Sequence, residues 1–254
     1  MGGWYKNVVG EKGHYYHQKI ILPGILRLLK LQANQKLLDL GCGQGVLGKC
    51  LTNHNLFWGL DLSDNLISMA KTEDKNRNHK YFVGDATKTI NTDEKFDWIT
   101  MILAIQNMSK PFLVFKSCSN LLTEKGKLLI VMNHPTFRIP QNSDWGVDKE
   151  RLIQYRRIDR YMSPLEIGIE VSPFDKKTDE KTLSFHYPIS AYSEMLFDNG
   201  FMIEKIEEWV SDKKSTGSMA KVEDRARREF PLFMAIVACR RQDKTRKFPE
   251  EQNL

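Results

Sequence analysis

Residues 36–48 read Lys-Leu-Leu-Asp-Leu-Gly-Cys-Gly-Gln-Gly-Val-Leu-Gly. A short apolar run carries Asp39 and gives way to three glycines at alternate positions, Gly41, Gly43 and Gly45. Glycines at such a junction let the backbone turn sharply and approach a ligand where a Cβ would not fit. A helix starting beyond them would offer unpaired N–H groups. Gly43-Gln44-Gly45-Val46-Leu47-Gly48 also satisfies the G-x-G-x-x-G pattern of dinucleotide sites. Asp39 argues against that ligand. A carboxylate two residues before the first glycine repels a pyrophosphate at short range and attracts an ammonium. Cys42 suits the turn as a small residue.

Two further acids end apolar runs. Phe57-Trp58-Gly59-Leu60-Asp61 places a carboxylate where both hydroxyls of a ribose can be accepted. Lys80-Tyr81-Phe82-Val83-Gly84-Asp85-Ala86 ends in Asp85, which can accept from an adenine amino group. Any one of these acids is compatible with a simple helix N-cap. In order, after a glycine turn, they suit a cationic adenosyl ligand without phosphate. S-adenosylmethionine has that chemistry: an ammonium, a carboxylate for backbone N–H groups, and an adenosine. S-adenosylhomocysteine would be its product.

The elements that must hold these residues alternate. Apolar runs predict strands at 36–41, 56–61, 80–84, 96–103 and 127–132. Patterns between and before them predict helices at 14–32 (broken at Pro23-Gly24), from Val46 to about 53, from the N-cap Ser63 to about Thr72, and over 111–122. Such alternation implies a parallel, doubly wound α/β sheet, which binds ligands beyond the carboxyl ends of its strands. Residues 136–188 interrupt the pattern. Leu152, Tyr155, Ile158 and Met162 predict a helix over 150–162, and two period-2 runs, 165–171 and 182–187, predict a hairpin. The regular pattern resumes with a helix over 190–198, stopped at Asn199-Gly200, and strands at 201–209 and 230–239.

Residues about 36–135 resemble a class I S-adenosylmethionine-dependent methyltransferase, in the type 11 group that includes the ubiquinone and menaquinone methyltransferases. The resemblance rests on Leu38-Asp39-Leu40-Gly41-Cys42-Gly43-Gln44-Gly45, on Gly59-Leu60-Asp61-Leu62-Ser63 and Val83-Gly84-Asp85-Ala86, and more weakly on Phe96-Asp97-Trp98-Ile99 and 121–130. It implies a Rossmann-like seven-stranded sheet of order 3-2-1-4-5-7-6, strand seven antiparallel, with 136–188 as an inserted helix-hairpin cap. It implies that Asp39, Gly41, Cys42, Gly43, Gln44 and Gly45 hold the methionine end and that Asp61 takes the ribose. Leu62 and Leu66 would flank the adenine, Asp85 and Ala86 hold its edge, and Leu103, Ala104 and Gln106 lie near the sulfonium. Relatives often carry two histidines at the positions of Gln106 and Asn107, so a possible base is missing here.

Methyl transfer from a sulfonium is an in-line displacement that mainly needs positioning. Where a base is needed, His134, at the carboxyl end of the fifth run, is the first candidate and His186 the second. Arg138, Tyr155, Arg156 and Arg160 are candidates for binding the acceptor, with Arg156 and Arg160 sharing a helix face as a carboxylate or phosphate clamp. Tyr15-Tyr16-His17 can close over the cofactor as a lid.

The 254 residues suit one large domain, with 241–254 expected as a flexible tail. Hydrophobic content of 41% and charged content of 28% are ordinary for a globular protein. No apolar run approaches a membrane span, and the N-terminus carries no secretory pattern. Four scattered cysteines predict neither disulfides nor a metal site and suit the cytoplasm. The net charge of +6 tolerates nucleic acid without requiring it. A small or medium organic acceptor is therefore expected. An RNA or protein acceptor, or a non-catalytic S-adenosylmethionine-binding module, are the alternatives.

Overall fold

The computed structural model describes residues 15–52, 54–170 and 181–241. The first five strands are β1 (Lys36–Leu40), β2 (Leu56–Asp61), β3 (His79–Val83), β4 (Phe96–Ile102) and β5 (Leu122–Asn133). The insertion supplies β6 (Ser143–Asp148), β7 (Ile153–Ile158), β8 (Leu165–Glu170) and β9 (Lys181–His186), and the chain closes with β10 (Phe201–Trp209) and β11 (Phe233–Arg240). One seven-stranded sheet has the order β10-β11-β5-β4-β1-β2-β3. In chain order within that sheet this is the expected 3-2-1-4-5-7-6, with β11 antiparallel to both neighbours.

Continuous apolar runs mark strands buried on both faces. Leu37, Leu38 and Leu40 of β1, and the run from Leu128 to Met132 in β5, are all buried. One face packs Phe96, Phe115, Leu196 and Phe201; the other packs Ile21, Ile25, Phe57, Ile67 and Tyr81. Burying one such large side chain stabilises by about 1.5–3 kcal/mol.

The helices covering those faces are α1 (Leu22–Leu29), α2 (Asp64–Glu73), α3 (Pro111–Leu121), α4 (Ile189–Asp198) and α5 (Ala220–Glu229). Ser63 caps α2 as expected, its hydroxyl accepting from the Leu66 N–H. Gly200, at φ 79°, follows α4 in the left-handed conformation that ends helices. The leading helix is shorter than expected. A wide π-helical turn, His17–Ile21, leads into α1, which stops at left-handed Lys30. Pro23 directly follows the π-helical turn, where its missing N–H removes one bond from the helical ladder.

Two expected helices are absent. After β1 the chain makes tight turns and a short 3₁₀ segment, Gly48–Cys50. Gly41, Gly43 and Gly45 all have positive φ, so no regular helix can start among them. The helix expected over 150–162 is replaced by the β6–β7 hairpin. Its two faces divide Ile153, Tyr155 and Arg157 from Gln154, Arg156 and Ile158. The hairpin expected from the period-2 runs forms as β8–β9. The connection 171–180 and the expected tail from 242 onward lie outside the described residues, and no disulfide joins the four cysteines. Among the described residues no helix is long and apolar enough to cross a membrane.

α1 docks through Gly24. A Cβ there would stand 2.6 Å from the Trp209 ring, whose indole N–H is fixed on Glu207. Gly24→Ala is expected to destabilise the fold by about 1–3 kcal/mol in urea denaturation, the usual cost of overpacking.

Candidate functional site

A cleft of about 920 Å³ opens at the carboxyl ends of β1, β2, β3 and β4. Its wall begins with the backbone of Gly41 and Gly43. The turn is closed onto β2 by the N–H groups of Gly41 and Cys42, both donating to the Leu60 carbonyl at 2.7 and 3.1 Å. Gly59 makes room for this approach: a Cβ there would lie 2.7 Å from the Cys42 sulfur and from Tyr81.

Asp61 fastens the arrangement. One carboxylate oxygen accepts from the Gly43 N–H at 2.8 Å, and the other from the Ser63 N–H at 2.9 Å. Each oxygen keeps a further lone pair at the cleft, the pattern a ribose diol needs. Asp85 is oriented in a similar way. The hydroxyl and N–H of Thr87 both donate to one of its oxygens, at 2.7 and 2.9 Å, and hold its carboxyl below the usual range. Leu62, 73% exposed, stands with Leu66 and Ala86 between the two acids and offers an apolar wall to a flat ring.

Asp39 lies behind the turn. It is buried, accepts from the Thr100 hydroxyl at 2.7 Å, and does not line the cleft. Burial pushes its carboxyl up to about 7, and the charge of Asp61 adds to this. Cys42, Gln44 and Gly45 are likewise behind the wall. Burial raises the Cys42 thiol far above the range of a nucleophile.

At the other end of the cleft Leu103 and Ala104 line it, with Leu103 in the left-handed region at φ 52°. Gln106 does not line it. Its side-chain carbonyl accepts from the Asn133 N–H at 3.2 Å and ties the segment after β4 to the end of β5. Tyr16 and His17 reach the cleft from the turn before α1, while Tyr15 is turned to Asp212.

His134, the first candidate for a base, stands outside the cleft lining. The N–H groups of Thr136 and Phe137 donate to its Nδ1, so the proton sits on Nε2, which meets Glu208 at 2.6 Å. Both nitrogens are occupied, the ring is buried, and burial lowers its pKa despite Glu208. The pair came from a contact 74 residues away in sequence and left no local signal. His186 donates Nε2–H to the Tyr161 carbonyl at 2.7 Å and is held neutral by burial. It lines a separate small cavity of about 30 Å³, beside Gln106, Asn133, Arg138 and Ser184.

The arginine cluster does not assemble. Arg156 is on a strand, donates to the Phe137 carbonyl and the Ser143 hydroxyl, and lies over the Trp145 ring. Arg160 and Tyr155 are exposed and away from the cleft. Arg138 alone reaches it, with its guanidinium 5.5 Å above the Phe233 ring. Thr182 of β9 and Phe233 of β11 also line the cleft and were missed. Phe233 faces the site only because it pairs with Asn133 in an antiparallel register that periodicity does not reveal.

The Asp39 carboxyl binds its proton more tightly folded than unfolded, so its protonation stabilises the fold. That contribution is complete below about pH 4 and is lost as pH rises to about 7. Asp39→Asn keeps an acceptor for Thr100. Without ligand it is expected to exceed the wild type in stability at pH 8, with the gap closing toward pH 4. The gain is at most a few kcal/mol, since each tenfold change in proton affinity is worth about 1.4 kcal/mol. Thermal melts across that range measure it.

Residues 38–130 match the family model described as a methyltransferase domain. A ubiquinone biosynthesis O-methyltransferase of Coxiella burnetii is 30% identical over 125 residues, covering 47% of this chain and 53% of that protein. A demethylmenaquinone methyltransferase of Thermotoga maritima is 33% identical over 107 residues, covering 41% and 46%. The chain thus spans about half the length of the curated relatives it matches. The fold extends further. A solved S-adenosylmethionine-dependent methyltransferase from Mesorhizobium loti superposes with a TM-score of 0.69 at 22% identity, covering 88% of this chain and 99% of that one. One from Clostridium acetobutylicum gives 0.61 at 19%, covering 93% and 96%. Residues 38–130 are thus similar to a methyltransferase domain, and most of the chain shares the fold of solved S-adenosylmethionine-dependent methyltransferases.

Proposed function

We propose that this chain transfers a methyl group from S-adenosylmethionine to a small or medium organic acceptor. The observation that carries the reading is the cleft bounded by the Gly41–Gly43 backbone, Asp61 and Asp85, with Leu62 and Leu66 between the acids. These groups fit the cofactor part by part. Asp61 would accept from the ribose hydroxyls, Asp85 from the adenine amino group, and the leucines would cover the ring. The backbone of the glycine turn would meet the methionine carboxylate, with Asp39 behind it as a negative charge for the ammonium. When bound, the cofactor supplies a methyl group already activated on a sulfonium. The protein's part is then to orient the acceptor against that methyl and exclude water.

The relatives named for ubiquinone and menaquinone biosynthesis support a small organic acceptor. Thr182 supports the reading of 136–188 as a cap on the acceptor side of a single domain, since β9 reaches the cleft. No base is required of His134 in this reading. The four cysteines, none in a disulfide, suit a reducing compartment such as the cytoplasm.

Isothermal titration with S-adenosylhomocysteine tests the cofactor half. One equivalent is expected to bind the wild type, and Asp61→Ala is expected to weaken binding at least tenfold, about 1.4 kcal/mol, through loss of charged hydrogen bonds. No binding by the wild type would sink the reading. Methyl label from S-adenosylmethionine appearing in RNA rather than in small molecules would move the acceptor to another class.

A further inference from the structure

Arg138 is a cation without a partner. Its guanidinium makes no hydrogen bond or ion pair with any described residue, and its one contact of note is the face of Phe233. Tyr16 and Arg156 are the charged or titratable groups that act on it, and burial lowers its pKa. Arg138 is half-buried, and withdrawing a charge even partly from water without a counter-charge is costly. The carboxylates of the cleft are elsewhere: Asp61 and Asp85 face the adenosine part, and Glu208 is taken by His134.

Arg138 also lines the small cavity, and shares that double position with Asn133. The cavity wall contains no aspartate or glutamate. It does contain hydrogen-bond donors. The Gln106 carbonyl is used by the Asn133 N–H, which leaves its amide N–H groups to donate. Ser184, a buried residue of the cavity wall, brings a hydroxyl that can donate. At about 30 Å³ the space holds a group of a few heavy atoms. A planar fork of donors beside neutral donors, with no acid nearby, is a receptor for an oxyanion, best a carboxylate.

We propose that Arg138, with Ser184 and Gln106, forms an oxyanion pocket that selects methyl acceptors bearing a carboxylate, whose body then lies in the cleft beside the methyl group. This rests on the methyltransferase reading and names the acceptor class for it. It also accounts for charge. The cofactor brings a sulfonium to the cleft, and Arg138 adds a second cation at the acceptor end. An anionic acceptor relieves both.

Two measurements test the proposal on the full chain. Benzoate and benzamide, titrated into protein saturated with S-adenosylhomocysteine, are the probes. The wild type is expected to prefer benzoate at least tenfold. Arg138→Gln should abolish the preference, Arg138→Lys should keep part of it, and Ser184→Ala should reduce it several-fold. Without any acceptor, Arg138→Gln is also expected to shift relative affinity from S-adenosylhomocysteine toward the sulfonium-bearing S-adenosylmethionine by about threefold or more. Its melting temperature should change little, since only the contact with the Phe233 face is lost and no hydrogen bond or ion pair. Equal binding of acid and amide by the wild type, unaltered preference in both Arg138→Gln and Ser184→Ala, or an unchanged cofactor ratio would overturn the pocket. Those outcomes leave S-adenosylhomocysteine binding intact, whereas failure of the methyltransferase reading removes it.

Discussion

The bridge made by Asp61 is the constraint on which the site depends. Its two oxygens hold the N–H of Gly43 in the turn after β1 and the N–H of Ser63 at the start of α2. Two adjacent strand ends are thus locked at a fixed separation. A backbone turn with three positive φ angles is entropically loose by nature. Charged hydrogen bonds to it hold one conformation, and hold it with the carboxylate already facing the ligand. Preorganisation of this kind is where binding affinity is gained without new contacts.

Around that bridge the fold separates two electrostatic zones. The end of the cleft at Asp61 and Asp85 is acidic and ordered by short side-chain-to-backbone bonds. The small cavity beside Arg138 has neutral donors and one guanidinium in its wall, on residues between 106 and 192. Asp39 sits behind the glycine turn as a buried carboxyl that changes charge close to neutrality. A cationic ligand at the turn would favour its ionised form, so the buried acid and the ligand are thermodynamically linked.

Much of this was legible in the sequence where the signals are local. The apolar runs of β1 to β5, the Ser63 cap and the Gly200 stop are all set by nearest neighbours along the chain, and the structure has them. The acids at strand ends were legible because strand ends in parallel sheets face one edge. Pairwise facts between distant segments were not. His134 looked available because Glu208 could not be placed beside it. Leu152, Tyr155, Ile158 and Met162 have helical spacing, yet Ile153–Ile158 alternates as well, and pairing with β6 selected the strand. The arginines at 156 and 160 lost their shared face with that helix.

β11 has a consequence in time. It comes after every other described strand in the chain, yet it is an interior strand, inserted between β5 and β10. Until it emerges from the ribosome, the buried run Leu128–Met132 of β5 is an open apolar edge, the kind that pairs with other chains. Its first residue, Phe233, also supplies the ring beneath Arg138. The nascent chain therefore completes its sheet and the wall of its cleft in one late event. A ribosome-bound intermediate holds the glycine turn and both acids, and a cleft still open on the side that Phe233 closes.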